Sequence, residues 1–268
     1  MKRFLTLFLS LILSLSFFTF VGCKPDNNNN DNGDHVPPSE APIIYDYDFT
    51  DGKWAYFLSE DNTYLSILYV GGDVDELTVP TSYNGIPVTT IKSEAFLGVK
   101  IGVLTILDNI TTIEDFSMTS YTVIDKLIIE YPEVYDHGYG LYTSVTIKLF
   151  EPRGNVENLN FKPLWSPGGI VKPRNSIKKA IIPKETKSLT YKYCTNSILF
   201  YKGTMDDFNK IEVTDSGGLP SNLFNVACEV YYYSEVEPEL NTDGTAYDGK
   251  YWRYVNNEPV IWEYTPSN

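Results

Sequence analysis

Internal repetition is the feature of this sequence that most restricts its fold. Three-residue units with an apolar first and third residue recur at spacings of 27, 23, 20, 33 and 18 residues. These units are Leu77-Thr78-Val79, Leu104-Thr105-Ile106, Leu127-Ile128-Ile129, Ile147-Lys148-Leu149, Ala180-Ile181-Ile182 and Ile198-Leu199-Phe200. A recurrence of this length predicts an array of short strands, one in each coil of a repeat protein.

A second repeated element follows some of these units. The segment Val88–Phe96 (VTTIKSEAF) aligns with Ile110–Met118 (ITTIEDFSM) and more loosely with Thr186–Cys194 (TKSLTYKYC). Each unit has too little apolar surface to be stable alone and must stack on its neighbours. We therefore predict a β-rich, right-handed solenoid of short strands with little helix. A β-sandwich of many short strands is the alternative, but it does not explain the repeated Thr-Thr-Ile.

Both ends of the repeat region show hairpin patterns. Residues 54–70 read as two strands around a turn, and Tyr251–Val255 and Pro259–Tyr264 alternate aromatic with polar residues. The ends of a solenoid expose apolar groups and strand edges, so caps are required, and we expect Trp252 and Trp262 to pack on the last coil. The predicted segments are an N-terminal hairpin cap at 42–76, a solenoid at 77–229 with an irregular stretch at 131–176, and a C-terminal aromatic hairpin cap at 230–268.

The N-terminus has the pattern of an export signal. Lys2 and Arg3 precede an apolar run that ends at Phe20, and small residues lead to Cys23. The ending Phe-Val-Gly-Cys resembles the bacterial lipobox, in which the cysteine becomes the lipidated first residue. This resemblance implies a signal peptide at 1–22, a membrane anchor through lipid on Cys23, and a surface-exposed location in the bacterial cell envelope. An uncleaved spanning helix is the alternative, at the short edge of the ~17–25 residues that a span needs.

An Asn-, Asp- and Pro-rich stretch at 23–41 follows the signal and has no apolar periodicity. Such a stretch cannot bury enough apolar surface to offset its ordering entropy, which predicts a disordered tether. The 268-residue chain has 21 Lys and Arg against 35 Asp and Glu, a net charge of −14, and loss of the two basic residues of the signal makes it −16. This acidity argues against a nucleic-acid partner and leaves the lipid as the membrane anchor.

Several segments together resemble a known family. Leu77–Phe96 is similar to the opening repeat of BspA-type leucine-rich repeat proteins, and 104–115 and 180–189 resemble the repeats that follow it. The C-terminal segments 199–208, 230–235 and 251–262 resemble a terminal module seen on many such bacterial proteins. The resemblance covers roughly 52–130 and 177–264. It implies a leucine-rich-repeat-like fold in a bacterial surface or secreted protein, and it leaves the ligand open.

Few residues suit catalysis or metal binding. The chain has two histidines and three cysteines, too few for an obvious zinc site or His-based catalytic centre. His137 follows an aspartate, but no nucleophile motif accompanies it. For Cys194 and Cys228 we expect two reduced, buried thiols, and a disulfide, which an exported protein permits, is the alternative. We therefore expect a protein that is not an enzyme and that uses no cofactor or metal.

Tyrosine is abundant, with 21 residues beside 14 Phe and 4 Trp. A tyrosine has an apolar face and a polar tip, which suits binding surfaces, although half-buried strand positions also favour it. Candidate ligand-binding tyrosines cluster where the repeat pattern breaks down: Tyr121, Tyr131, Tyr135, Tyr139 and Tyr142. The expected function is adhesion to a host or matrix protein. Capture of a glycan is the alternative, and a lipid-anchored hydrolase is the third.

Overall fold

The computed structural model describes residues 46–114, 118, 122–130, 145–154, 156–161, 177–191, 197–214 and 228–266. All of them belong to the unit Pro37–Asn268. The strands are β1 (Phe49–Thr50), β2 (Trp54–Leu58), β3 (Leu65–Tyr69), β4 (Val74–Thr78), β5 (Ser82–Tyr83), β6 (Ile86–Ile91), β7 (Lys100–Ile106), β8 (Thr112–Ile113), β9 (Val123–Glu130), β10 (Thr146–Arg153), β11 (Asn158–Phe161), β12 (Ile177–Ile182), β13 (Ser188–Tyr191), β14 (Ile198–Tyr201), β15 (Glu212–Thr214), β16 (Glu229–Tyr233), β17 (Tyr251–Val255) and β18 (Glu258–Ile261). In these ranges the only α-helix is α1 (Met205–Phe208).

A sheet of nine strands forms one side of the solenoid, in the order β18-β17-β16-β14-β12-β10-β9-β7-β4. Every neighbouring pair from β4 to β17 is parallel, and only β17 and β18 are antiparallel. Parallel strands need a crossover between them, so each strand belongs to a separate coil of the chain. The inner face of this sheet supplies rows of buried apolar side chains, such as Leu77, Leu104 and Leu127.

The strand register corrects two of the repeat units inferred from the sequence. Phe150, and not Ile147, aligns with Leu127, and Leu199, and not Ile198, aligns with Ala180. Ile147 instead aligns with Ile124, which belongs to the inward-facing row next to that of Leu127. The mismatch arises because several strands carry apolar residues on both faces, so a three-residue apolar unit does not define which residue points inward.

The second repeated element forms shorter rows of strands on the returning side of the coils. β6 pairs in parallel with β8, with Ile91 opposite Ile113, so the two Thr-Thr-Ile units lie in register. β11, β13 and β15 form a second parallel sheet of three strands. The loosely aligned third unit contributes Thr186 and Leu189, which are both buried. The β-rich, leucine-rich-repeat-like solenoid is therefore confirmed, and a sandwich of two antiparallel sheets is excluded.

The N-terminal hairpin caps the shorter row of strands. β2 and β3 pair in an antiparallel manner, and β3 then pairs in parallel with β6. Trp54 and Tyr56 lie in the main core, where Trp54 packs edge-on against Phe96 at a centroid distance of 6.1 Å. The hairpin therefore extends the sheet in the plane of its strands. The apolar side chains of the hairpin are buried in the main core.

The C-terminal hairpin, β17 and β18, behaves differently. β17 pairs with β16 through only two residues, Tyr251 and Trp252. At the far end of the hairpin, the Lys126 ammonium on β9 donates to the carbonyl of Asn257 at 3.3 Å. β9 lies four strands from β16 in the sheet order, a distance of about 19 Å at ~4.8 Å per strand. The hairpin therefore folds back across the outer face of the long sheet.

A second apolar cluster forms between the hairpin and the sheet. Trp252 packs on Leu149, Ile181 and Phe200, which belong to three different strands of the long sheet. Its indole N–H donates to the carbonyl of Tyr201 at 2.8 Å. Trp252 is fully buried although the strand that carries it lies on the outside of the solenoid. The sequence placed Trp252 on the last coil. The structure shows one ring contact there, with Tyr233 of β16, but seats the side chain across three earlier strands of the sheet.

Candidate functional site

The residues that the sequence singled out for binding or chemistry lie outside the described ranges. These are Cys23, Tyr121, Tyr131, Tyr135, Tyr139, Tyr142, His137 and Cys194. Their roles stay predictions. Cys228, the possible partner of Cys194, is buried in the main core. In part of the stretch that the sequence showed as irregular, β10 pairs with β9 over seven residue pairs.

The described residues form a groove beside the C-terminal hairpin, with a volume of about 750 Å³. It lies where the outer face of the long sheet meets the outer edge of β18. The sheet contributes Lys179 and Phe200. The hairpin and the segments around it contribute Glu237, Tyr247, Arg253, Pro259, Val260, Ile261, Trp262, Glu263 and Thr265.

One wall of the groove is the free edge of β18. The amide of Trp262 donates to the carbonyl of Tyr251 at 2.9 Å, towards β17. Because backbone groups alternate along a strand, those of Ile261 and Pro259 point away from β17, to the open side. Proline has no N–H, so Ile261 is the residue of β18 that still offers an outward backbone donor.

Trp262 and Arg253 form the aromatic end of the groove. The Arg253 guanidinium lies 3.7 Å from the centroid of the Trp262 ring, a close cation–π contact. The Trp262 indole N–H donates to the carbonyl of Ser234 at 2.9 Å, which fixes the orientation of the ring. The sequence placed Trp262 on the last coil together with Trp252. The structure instead places it in the wall of the groove.

Tyr247 stands next to this pair. Its ring meets Trp262 edge-on at a centroid distance of 6.3 Å, and its hydroxyl donates to Glu237 Oε1 at 3.0 Å. Partial desolvation and this hydrogen bond raise the pKa of Tyr247 above its ordinary value. The phenol therefore stays protonated at neutral pH and keeps one lone-pair direction open for a donor from a ligand.

Three charged groups of the groove have no hydrogen-bond or ion-pair partner among the described residues. They are Lys179 and Glu263, which are exposed, and the guanidinium of Arg253, whose contact is the Trp262 ring. Some exposed charges elsewhere in the described part of the chain, such as Lys187 and Glu157, pair with each other at 2.6 Å. The groove contains donors and acceptors that the fold itself does not use.

A partly buried charged cluster holds the tip of the hairpin on the sheet. Glu151 forms an ion pair with Lys126 at 3.0 Å and accepts a hydrogen bond from Arg153 at 3.0 Å, and Lys126 also contacts Glu258 of β18 at 3.3 Å. Burial by itself raises the pKa of Glu151, but the two cations outweigh it and the pKa lies below its ordinary value. Burial and the nearby Glu151 raise the pKa of Tyr254 to about 12. This cluster positions the hairpin and thereby the groove.

Sequence reasoning missed the groove because its residues come from distant strands. Lys179 and Phe200 lie on β12 and β14, whereas Tyr247 and Trp262 come from the C-terminal segment. The one available signal was the dense alternation of aromatic and charged residues after residue 245, a pattern that by itself predicts only a cap. Within the described residues, no group of three or more His, Cys, Asp or Glu side chains is placed to hold a metal ion. No helix in the same ranges is long and apolar enough to cross a membrane.

Two solved structures of leucine-rich repeat proteins are weakly similar to this chain. No family model and no curated protein matches it. The leucine-rich repeat protein of T. pallidum is 13% identical over 56% of this chain and 80% of its own, with a TM-score of 0.30. A leucine-rich cell surface protein from Faecalibacterium prausnitzii is 16% identical over 84% of this chain and 62% of its own, with a TM-score of 0.31. Both TM-scores are low, so the fold of this chain is defined by its own strand register.

Proposed function

We propose that this chain is an exported, lipid-anchored protein of the bacterial cell surface that binds a macromolecular ligand and does not catalyse a reaction. The observation that carries the proposal is the C-terminal groove, where aromatic rings and unused charged groups converge on a rigid ladder of strands. Function usually lies in irregular segments that a rigid scaffold positions. The export signal and the lipobox-like ending at Cys23 support the location.

The groove contains two carboxylates, Glu237 and Glu263, so the hydrolase alternative has to be weighed. A glycoside hydrolase needs a carboxyl group whose pKa is raised by an apolar, water-poor environment, so that it can act as a general acid. Both carboxylates are exposed, and Glu237 accepts a hydrogen bond from Tyr247. These surroundings favour binding over hydrolysis.

Adhesion to a host or matrix protein is the first candidate activity, since an anchored solenoid presents a long face for a protein partner. The second candidate is glycan capture. One specific observation favours it: the groove combines aromatic rings with both hydrogen-bond donors and acceptors, which is the combination that small-ligand sites use to orient a ligand.

The lipid anchor is tested by expressing the wild type and the Cys23→Ala variant in bacterial cells that process lipoproteins. We expect the wild type to take up radiolabelled palmitate and to fractionate with membranes, whereas the variant is unlabelled and leaves the membrane fraction. The Gly22→Ala variant is the matched control, because alanine keeps a small residue before the cysteine. A Cys23→Ala protein that stays in membranes without being cleaved would show that the N-terminus spans the membrane instead.

The binding function is tested with the purified full chain on arrays of extracellular matrix proteins and of glycans. Binding to at least one class supports the proposal, and silence on both contradicts it. Arg253→Ala should weaken the binding if the groove is the site. The exposed Arg153→Ala is unsuitable as its control because Arg153 holds Glu151, so Lys178→Ala, which is exposed and lies outside the groove walls, serves instead.

A further inference from the structure

The polar groups of the groove have opposite charges in equal number. Lys179 and Arg253 are cationic, and Glu237 and Glu263 are anionic. A site built for a phosphate or a polyanion would concentrate one sign of charge, as arginine and lysine do at phosphate sites. A balanced set instead offers donors and acceptors to a ligand that is itself uncharged and carries both.

The aromatic residues add an apolar face next to these polar groups. Trp262 and Tyr247 lie at one end of the groove, and both rings are partly exposed. A pyranose ring has the matching chemistry, because its C–H bonds form an apolar face and its hydroxyls point outward as both donors and acceptors. The volume of about 750 Å³ falls within the ~300–1,000 Å³ that small-ligand sites occupy.

An extended peptide is the competing ligand, because β18 has a free edge. Peptides that add to a sheet edge depend on a run of main-chain hydrogen bonds. Pro259 removes one outward N–H from this short strand, which is a common way of preventing strand addition at an edge. The exposed edge is therefore poorly suited to a peptide, whereas its remaining carbonyls and the Ile261 N–H can still bond to hydroxyls.

We infer that the groove binds a neutral oligosaccharide, with a sugar ring against Trp262 and Tyr247 and with its hydroxyls hydrogen-bonded to Lys179, Arg253 and Glu263. The inference deepens the glycan alternative of the proposed function and rests on it for the exposure of the protein to external sugars. It assigns the binding to the C-terminal module and leaves the rest of the solenoid as its support.

The test uses the purified full chain and three neutral trisaccharides: maltotriose, cellotriose and triacetylchitotriose. Isothermal titration calorimetry measures the affinity, and saturation-transfer NMR identifies the bound ring. We expect at least one trisaccharide to bind and to quench the tryptophan fluorescence. Glu263→Gln and Lys179→Ala should each weaken that binding about tenfold, since each removes a charged hydrogen-bond partner of the ligand. Glu235→Gln and Lys178→Ala are the matched controls, because they change exposed neighbours outside the groove, and should stay within twofold.

Four outcomes contradict the inference. The first is that none of the three sugars binds, and the second is that the control variants lose as much affinity as the groove variants. The third is that an acidic sugar or an extended peptide binds more tightly than the neutral trisaccharides. The fourth is that cleaved sugar is recovered after incubation. Failure of the proposed function is seen separately, by protease treatment of whole cells. A chain that is digested at the surface but binds none of the sugars defeats only the inference, and a chain that is protected inside the cell defeats the proposed function.

Discussion

The two terminal hairpins have similar strand patterns but different relations to the solenoid. The N-terminal hairpin joins the end of a sheet in the plane of its strands, through the parallel pair of β3 and β6. The C-terminal hairpin pairs with β16 over two residues and lies across the outer face of the long sheet. The first adds its apolar side chains to the main core, whereas the second forms a separate cluster with sheet residues.

This difference decides which polar groups remain available. In the N-terminal hairpin, Asp51 accepts from the amides of Lys53 and Trp54 and from the Tyr56 hydroxyl. Burial opposes ionisation of Asp51, but these hydrogen bonds lower its pKa below the ordinary value. Around the C-terminal hairpin, Lys179 of the sheet and Arg253 and Glu263 of the hairpin segment have no such partners among the described residues. The cap laid across the sheet therefore forms a cleft in which these polar groups lie together.

Trp54→Ala should have the largest effect on stability. Trp54 is buried against Tyr69 and Phe96 in the main core, and removal of such a ring costs about 3–5 kcal/mol. We expect the free energy of unfolding to fall by this amount in urea titrations followed by circular dichroism. Because the ring belongs to the main core, hydrogen exchange should speed up in β6 and β7 as well as in the hairpin. The control is Tyr64→Ala, an exposed residue of the same hairpin, which should change stability by less than about 0.5 kcal/mol. Faster exchange confined to β2 and β3 would contradict the prediction.

Trp252→Ala should cost less and should act locally. The ring is fully buried, but it packs in the smaller cluster between the hairpin and the sheet, which can partly collapse, so we expect about 3 kcal/mol. Hydrogen exchange measured by mass spectrometry should increase in β17, β18 and the tip of the hairpin, while β4 and β7 keep their protection. Val255→Ala, exposed on the same strand, should leave exchange unchanged. If β4 and β7 lost protection equally, the hairpin would have to be part of the main cooperative unit.

The solenoid could be predicted from the sequence because its signal is local and repeated. The recurring three-residue apolar units, together with the Thr-Thr-Ile units, mark successive coils that must stack on one another. The register of individual coils was less predictable, since Leu149 and Phe200 are apolar and yet face outward beneath the hairpin. Their apolar character is explained only by the hairpin that covers them.

The groove could not be predicted for a related reason. The fold-back of the hairpin brings together residues far apart in sequence, such as Trp252 with Leu149 and Lys126 on β9 with Glu258 on β18. Nothing in the local pattern of either strand indicates the other. The sequence predicted two hairpin caps, and it could not show that the C-terminal one leaves Trp262 beside unpaired charges.

The smallest expected effect concerns the charged cluster at the hairpin tip, through Glu151→Gln and through pH. Glu151 has a pKa below its ordinary value of 4.5 because Lys126 and Arg153 contact it. A group whose pKa is lower in the folded state stabilises the fold above its unfolded pKa, and this contribution is lost as the pH falls through the folded pKa. The wild-type hairpin should therefore loosen on acidification below about pH 4.5, before the N-terminal hairpin and the main core respond.

At neutral pH, Glu151→Gln should cost roughly 1.5–2 kcal/mol, because charge-assisted hydrogen bonds are lost, and the acid-dependent loosening of the hairpin should largely disappear. Glu258→Gln is the matched comparison. Its carboxylate is exposed at the same cluster, where ion pairs contribute at most about 1 kcal/mol. The measurement is hydrogen exchange of β17 and β18 between pH 3 and pH 7, corrected for the intrinsic exchange rate. Fluorescence of Tyr254 is not suitable, because tryptophan emission masks it. Acid loosening that persists unchanged in Glu151→Gln would mean that the hairpin is held by its apolar contacts alone.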